Sequence, residues 1–161
     1  MKRVVIFGRG ASGKSSLART LGEITGLPVI ELDKVFWQAG LQALPPDKWA
    51  SIQNRLIQDS CWIMDGDLGP SDVIDLRIRA ADTIVFLDFP LPICAWRAIR
   101  RSRERADFWQ WLIAYRHKCR PTLMQAFASL APTAPLYRLR GPRAVKQFIE
   151  DMTRNAALRR E

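Results

Sequence analysis

The stretch Arg3 to Ser16, RVVIFGRGASGKSS, leaves few folds open. Its β-branched, apolar start predicts a buried parallel strand over Arg3 to Phe7. The strand runs into Gly8, Gly13, Lys14 and Ser15, which fill every fixed position of the phosphate-binding pattern G-x-x-x-x-G-K-[ST]. From Lys14 to Thr25 the apolar residues Leu17, Ala18, Leu21 and Ile24 recur on one helical face, and Gly26 stands where a C-cap belongs. Strand, glycine loop and helix in that order make an anion cradle. The loop, Gly8 with Gly10, Ala11, Ser12 and Gly13, turns backbone N–H groups inward, and the helix start through Ser16 adds its positive dipole end. Lys14 is expected to reach the β- and γ-phosphates of a nucleoside triphosphate, and the Ser15 hydroxyl to ligate Mg²⁺.

Strands and helices alternate through the rest of the chain. Pro28 to Leu32, Cys61 to Met64, Thr83 to Leu87 and Leu136 to Leu139 read as further short strands. Helical spacing covers Lys48 to Asp59, Val73 to Arg79, Ile93 to Arg105, Phe108 to Leu130 with a break at Pro121, and Ala144 to Met152, with Pro142 where a first helical turn tolerates proline. Lys34 to Asp47, with Gly40 and Pro45-Pro46, reads as irregular. Such alternation predicts an α/β sandwich with a five-stranded parallel sheet wrapped on both faces. At 161 residues and 48% hydrophobic content, one domain over 1–161 is expected.

Other classes are excluded residue by residue. No Asn-Lys-x-Asp guanine motif of a Ras-type GTPase is present. The three cysteines, Cys61, Cys94 and Cys119, lack Cys-x-x-Cys spacing and have His117 as the only histidine, which argues for free thiols rather than zinc or disulfides. The longest apolar candidate, Thr83 to Trp96, is broken by Asp88, Pro90 and Pro92, so no membrane span is expected. The basic start MKR precedes only a short apolar run, unlike a signal peptide, and a cytoplasmic location is the expectation. A net charge of +9 favours polyanionic partners, nucleotides or nucleic acid.

Two acids stand at strand ends. Ligands of parallel α/β sheets sit outside the carboxyl edge. There Asp33 is placed to orient or deprotonate an acceptor hydroxyl or to hold a Mg²⁺-bound water, and Asp65 ends the third strand beside the first.

The segments GRGASGKSSLARTLGEITGLPVIELDKVFW, WIMDGD and ADTIVFLDFPLPICAWRAIRR resemble the adenylate-kinase-related bacterial P-loop family often labelled DNA topology modulation proteins, FlaR-like. The resemblance spans most of the chain. It implies the kinase-type P-loop sheet of strand order 2-3-1-4-5, carried by residues such as Asp33, Trp37, Asp65 and Cys94 to Arg97. It implies ATP and Mg²⁺ as cofactors, with Asp65 acting on the metal through water. It also implies Arg97 against adenine and Arg101 on the phosphates. Arg116 and Arg120 are implied as a second pair that stabilises the transferring phosphoryl group, and the loop at Gly141 and Pro142 supports the base by backbone contact. The chain departs from the family in two places. DGDLGPS lacks the arginine that clamps a nucleoside monophosphate, so an uncharged or hydroxyl-bearing acceptor fits better than AMP, and Asp67 replaces an expected Asn. The lid-like segment near 101–108 is short, with SRERAD alone between Arg101 and Phe108. The expected activity is an ATP-dependent, Mg²⁺-dependent phosphotransferase acting on a small acceptor. The alternatives are a nucleic-acid-binding protein with ATP-dependent switching through its basic surface, and a nucleotide binder or NTPase without transfer. Phe108, Trp111, Leu112 and Tyr115 fall on one helical face and are expected to pack in the core.

Overall fold

The computed structural model describes residues 1–38, 42–68, 72–101 and 106–158. Five parallel strands form one sheet: β1 (Arg3–Gly8), β2 (Val29–Glu31), β5 (Trp62–Asp65), β6 (Thr83–Leu87) and β7 (Leu136–Leu139). Their spatial order is β2-β5-β1-β6-β7, which in strand sequence is 2-3-1-4-5. Register places Ile6 beside Asp65, and Gly8 beside Leu87. Gly8 and Asp65 therefore emerge at the same carboxyl edge of the sheet.

Alternation along each strand sends side chains to two cores. Val5, Phe7, Trp62, Met64, Ile84 and Phe86 face α2 (Leu32–Phe36), α3 (Pro46–Leu56), α4 (Ile74–Ala80) and α6 (Ala106–Leu130). Val4, Ile6, Ile63, Val85 and Leu87 face α1 (Lys14–Thr25), α5 (Leu91–Arg101) and α7 (Pro142–Ala157). Three layers result. Among the described residues no helix is long and apolar enough to cross a membrane.

Three expectations are corrected. The stretch read as irregular holds α2, a two-stranded hairpin of β3 (Trp37–Gln38) and β4 (Gln42–Ala43), and the start of α3 at Pro46. Its pieces are too short to show a period. Pro46 occupies the first helical turn, where a missing N–H costs no hydrogen bond. The helix expected to break at Pro121 runs through it. Buried Leu112 and Tyr115 before the proline and Leu123 and Phe127 after it seat both halves of α6, and that packing outweighs the local break. The last helix has Pro142 in its first turn as expected, but it extends past Met152 to Ala157. The stretch from Ser102 to Arg105, most of the lid-like segment and including Arg103 and Arg105, lies outside the described residues.

Candidate functional site

The phosphate loop connects β1 to α1 at the carboxyl edge of the sheet. Gly13 sits at φ 99°, a left-handed conformation that a side chain would strain, and caps α1 by accepting the Leu17 N–H at 3.0 Å. Lys14 Nζ donates to the Gly8 carbonyl at 2.9 Å and the Arg9 carbonyl at 3.4 Å, which holds the ammonium over the loop. Arg97 reaches across from α5, its Nη1 donating to the Ser12 carbonyl at 2.7 Å while its guanidinium lies over the Phe89 ring.

A cleft of about 900 Å³ opens above the loop, a volume that suits a nucleotide with a small partner. Gly10, Ala11, Ser12, Gly13, Lys14, Ser15 and Ser16 line its floor. Arg97, Arg101, Phe89, Pro142 and Val145 line one end, and Asp33 and Asp67 also face in. Asp33 lies in the first turn of α2, two residues past β2, rather than at the strand terminus itself. It is exposed to the cleft and makes no hydrogen bond or ion pair among the described residues. Its carboxyl is pushed above the usual range by the surrounding protein and then by the charges of Asp65, Asp67 and Asp72, with Lys14 opposing.

Asp65 is 2% exposed. Burial raises its pKa, opposed by the Lys14 charge and by the Ser15 hydroxyl hydrogen-bonded to it. Its Oδ1 is buried with no hydrogen-bond partner among the described residues, an orphan acceptor beside a hydroxyl. Among the described residues no cluster of His, Cys, Asp or Glu could hold a metal unaided. Mg²⁺ at a triphosphate needs no such cage, because waters and phosphate oxygens complete its shell. The Ser15 hydroxyl and the unpaired Asp65 oxygen fit that ion.

The remaining sequence-derived residues separate into two groups. Arg97, Arg101 and Pro142 reach the cleft, whereas Gly141 does not line it and N-caps α7 at the neighbouring position. Arg116 is exposed on α6 and does not line the cleft. Arg120 is also outside it, donating through Nε to Asp88 Oδ1 at 3.0 Å, and Arg138 shares that carboxylate at 2.7 Å. These two arginines hold the Asp88 carboxyl below the usual range against the effect of burial.

The aromatic face of α6 divides its duties. Leu112 and Tyr115 are buried as expected, and half-buried Phe108 and Trp111 pack against the same two cores while also lining the cleft. They press on the phosphate loop so closely that a Cβ on Gly10 would lie 2.6 Å from Trp111 and 2.8 Å from Phe108. Gly10→Ala is therefore expected to displace both rings and weaken nucleotide binding roughly tenfold, while the melting temperature falls by only a few degrees. Titration with a fluorescent ATP analogue, read beside thermal unfolding, checks this.

Sequence reasoning missed Arg9. It is 4% exposed, its guanidinium lies 5.5 Å from the Tyr115 ring centroid, and its Nε and Nη1 have no hydrogen-bond partner among the described residues. It also missed Asp72, Arg77 and Gln53, which tie the turn after β5 to α3 and α4. Arg77 is fully buried and donates to Asp72 Oδ1 at 2.7 Å, Asp72 Oδ2 at 2.6 Å, Gln53 Oε1 at 3.0 Å and the Gly66 carbonyl at 3.1 Å. The spacing of these residues carries no signature, and burial of an arginine is not visible in a sequence.

A parallel sheet of order 2-3-1-4-5, flanked by helices and carrying a phosphate loop after its central strand, is the P-loop kinase fold. The chain is similar to a gluconokinase from Sinorhizobium meliloti 1021 at 19% identity, with TM-score 0.59 over 97% of this chain and 91% of that one. It is similar to a shikimate kinase from Acinetobacter baumannii, solved with shikimate, at 13% identity and TM-score 0.68 over 99% and 94%. A shikimate kinase from Bacteroides thetaiotaomicron aligns at 14% identity and TM-score 0.62 over 96% and 97%. No protein-family model and no curated protein sequence matches the chain.

Proposed function

We propose that this protein is an ATP-dependent phosphotransferase that moves the γ-phosphoryl group to a hydroxyl of a small acceptor. The observation that carries this reading is one cleft lined both by a complete phosphate loop and by Asp33, a carboxylate with no hydrogen bond or ion pair among the described residues. The likeness to gluconokinase and shikimate kinase structures supports it, as does the resemblance to the FlaR-like branch of adenylate-kinase-related proteins.

In this reading the loop amides and Lys14 hold the triphosphate. Ser15, and Asp65 through water, hold Mg²⁺, which when bound neutralises charge on the phosphates. Asp33 orients the acceptor hydroxyl. The hydroxyl oxygen bonds to the γ-phosphorus, the bond to the bridging oxygen breaks, ADP leaves, and Asp33 accepts the proton. Its raised pKa makes it a better base than an ordinary aspartate. Arg101 meets charge developing on the phosphoryl oxygens. Arg97 borders the base and sugar end, and Pro142 borders the base, with Gly141 behind it as the cap of α7. Arg116 and Arg120 are left without a phosphate contact while Arg120 is held by Asp88.

The test is turnover of γ-labelled ATP with Mg²⁺ across a panel of hydroxyl compounds. Label appearing on an organic acceptor is the expected result. Binding of ATP with label recovered only as inorganic phosphate, for every acceptor, would sink the transferase reading. Asp65→Asn is expected to raise the Mg²⁺ concentration for half-maximal turnover about tenfold or more, as loss of a supporting carboxylate does at metal sites. A magnesium titration of variant and parent, giving the same midpoint for both, would remove Asp65 from that role.

A further inference from the structure

Arg9 is the second residue of the phosphate loop, between Gly8 at the end of β1 and Gly10 on the floor of the cleft. Its backbone belongs to the cradle: its carbonyl accepts from the Ser12 N–H at 3.2 Å and from Lys14 Nζ at 3.4 Å. Its side chain does not line the cleft and lies over the Tyr115 ring of α6. There the guanidinium is buried, with Nε and Nη1 unbonded and no ion pair among the described residues.

The carboxylates around the loop have other contacts. Asp65 takes the Ser15 hydroxyl and Asp67 the Tyr115 hydroxyl, while Asp72 is held by Arg77, and Asp88 by Arg120 and Arg138. A guanidinium stays charged in a protein. A cation buried without a counter-ion destabilises the protein that holds it, and the Tyr115 ring offsets only part of that cost. The charge acts on both sides of the loop. Burial raises the Cys94 thiol of α5 above its usual range, and Arg9 is the largest influence opposing it, before Arg97 and Lys14. Burial, then Asp67 and Cys119, raise the Tyr115 hydroxyl of α6, and Arg9 again opposes. Both helices touch the loop, Arg97 at the Ser12 carbonyl and Phe108 and Trp111 at Gly10. A charge buried between them acts through protein rather than water, so salt screens it little.

We propose that Arg9 sets the anion affinity of the phosphate loop: from behind the cleft floor its buried, unpaired charge strengthens binding of a polyphosphate chain, and the bound anion supplies the counter-charge that the empty protein lacks. The proposal rests on the loop being a phosphate site, as the phosphotransferase reading has it. It gives a side chain at a variable position of the motif a share in work otherwise done by the loop amides and Lys14. It also carries a sign that a packing role does not. Removing the charge weakens anion binding without weakening the empty protein.

Two substitutions test it. Arg9→Met keeps an unbranched chain against Tyr115 and removes the charge, whereas Arg9→Lys keeps the charge. Inorganic tripolyphosphate is the probe, titrated by calorimetry into each full-length protein without any acceptor. Thermal unfolding of the three proteins without ligand is measured beside it. Arg9→Met is expected to bind tripolyphosphate about tenfold more weakly or worse, with its melting temperature at or above the parent's. Arg9→Lys is expected to retain most of the affinity. Equal affinity in the parent and Arg9→Met overturns the proposal, and so does an Arg9→Lys variant as weak as Arg9→Met. A melting temperature of Arg9→Met several degrees below the parent's also overturns it, because the arginine would then serve packing. Failure of the underlying reading shows separately: the parent itself then binds no tripolyphosphate, and the proposal falls with it.

Discussion

Lys14→Ala is expected to lower nucleotide turnover by roughly 10³-fold while leaving the fold in place. The ammonium is bonded to the Gly8 and Arg9 carbonyls of the loop, and in the proposed function it meets the β- and γ-phosphates there. Phosphoryl transfer draws its rate from positioning and charge stabilisation, so removing this cation removes transition-state stabilisation directly. What it removes from stability is small. Two hydrogen bonds to backbone are lost, each contributing about 1 kcal/mol net, and the melting temperature should fall by only a few degrees. Lys14→Arg is not expected to restore the rate, because a planar fork cannot occupy the seat of a point charge. Coupled measurement of ADP release, beside thermal unfolding of both variants, checks this. Turnover unchanged in the alanine variant would dismiss the assignment of the loop.

The parts legible in the sequence were those with local causes. β1, the phosphate loop and α1 follow one another within twenty-odd residues, and each announces itself by period or by glycine placement. The α/β class followed from the alternation of elements, and the strand order from the family resemblance. Local patterns failed where pairing across the chain decides. Pro121 marks a break by propensity, yet α6 continues because Leu123 and Phe127 belong to the same core as Phe7 and Phe86. Arg120 carries an arginine's capacity for phosphate, but its partner is Asp88, 32 positions away. Phe108 and Trp111 share a helical face with Leu112 and Tyr115, and no period shows that the first two meet the Gly10 backbone at the cleft. Arg9 stands at a variable position of the loop pattern, where the motif says nothing about which way a side chain turns.

Arg77→Ala should be the most destabilising single substitution, by about 3–5 kcal/mol, because it leaves Asp72 ionised, buried and without its counter-charge. Burial alone would raise the Asp72 pKa; hydrogen bonds and charge from Arg77, with the Trp49 and Leu68 N–H groups, win and hold it below the usual value. A carboxyl depressed in the folded state contributes stability above its unfolded pKa and loses it as pH falls through the folded value. The parent protein should therefore lose stability on acidification over the range below an ordinary aspartate's pKa, and Arg77→Ala should lack that component. The double variant Arg77→Met, Asp72→Leu should recover part of the loss, since an apolar pair leaves no stranded charge. Urea unfolding of the three proteins across pH decides. A double variant no more stable than Arg77→Ala would show that the cost lies in packing against Phe7 rather than in charge. The same pair reaches the site through backbone: Arg77 holds the Gly66 carbonyl and Asp72 the Leu68 N–H, on either side of Asp67. Any folded Arg77 variant should accordingly loosen the backbone that carries Asp67.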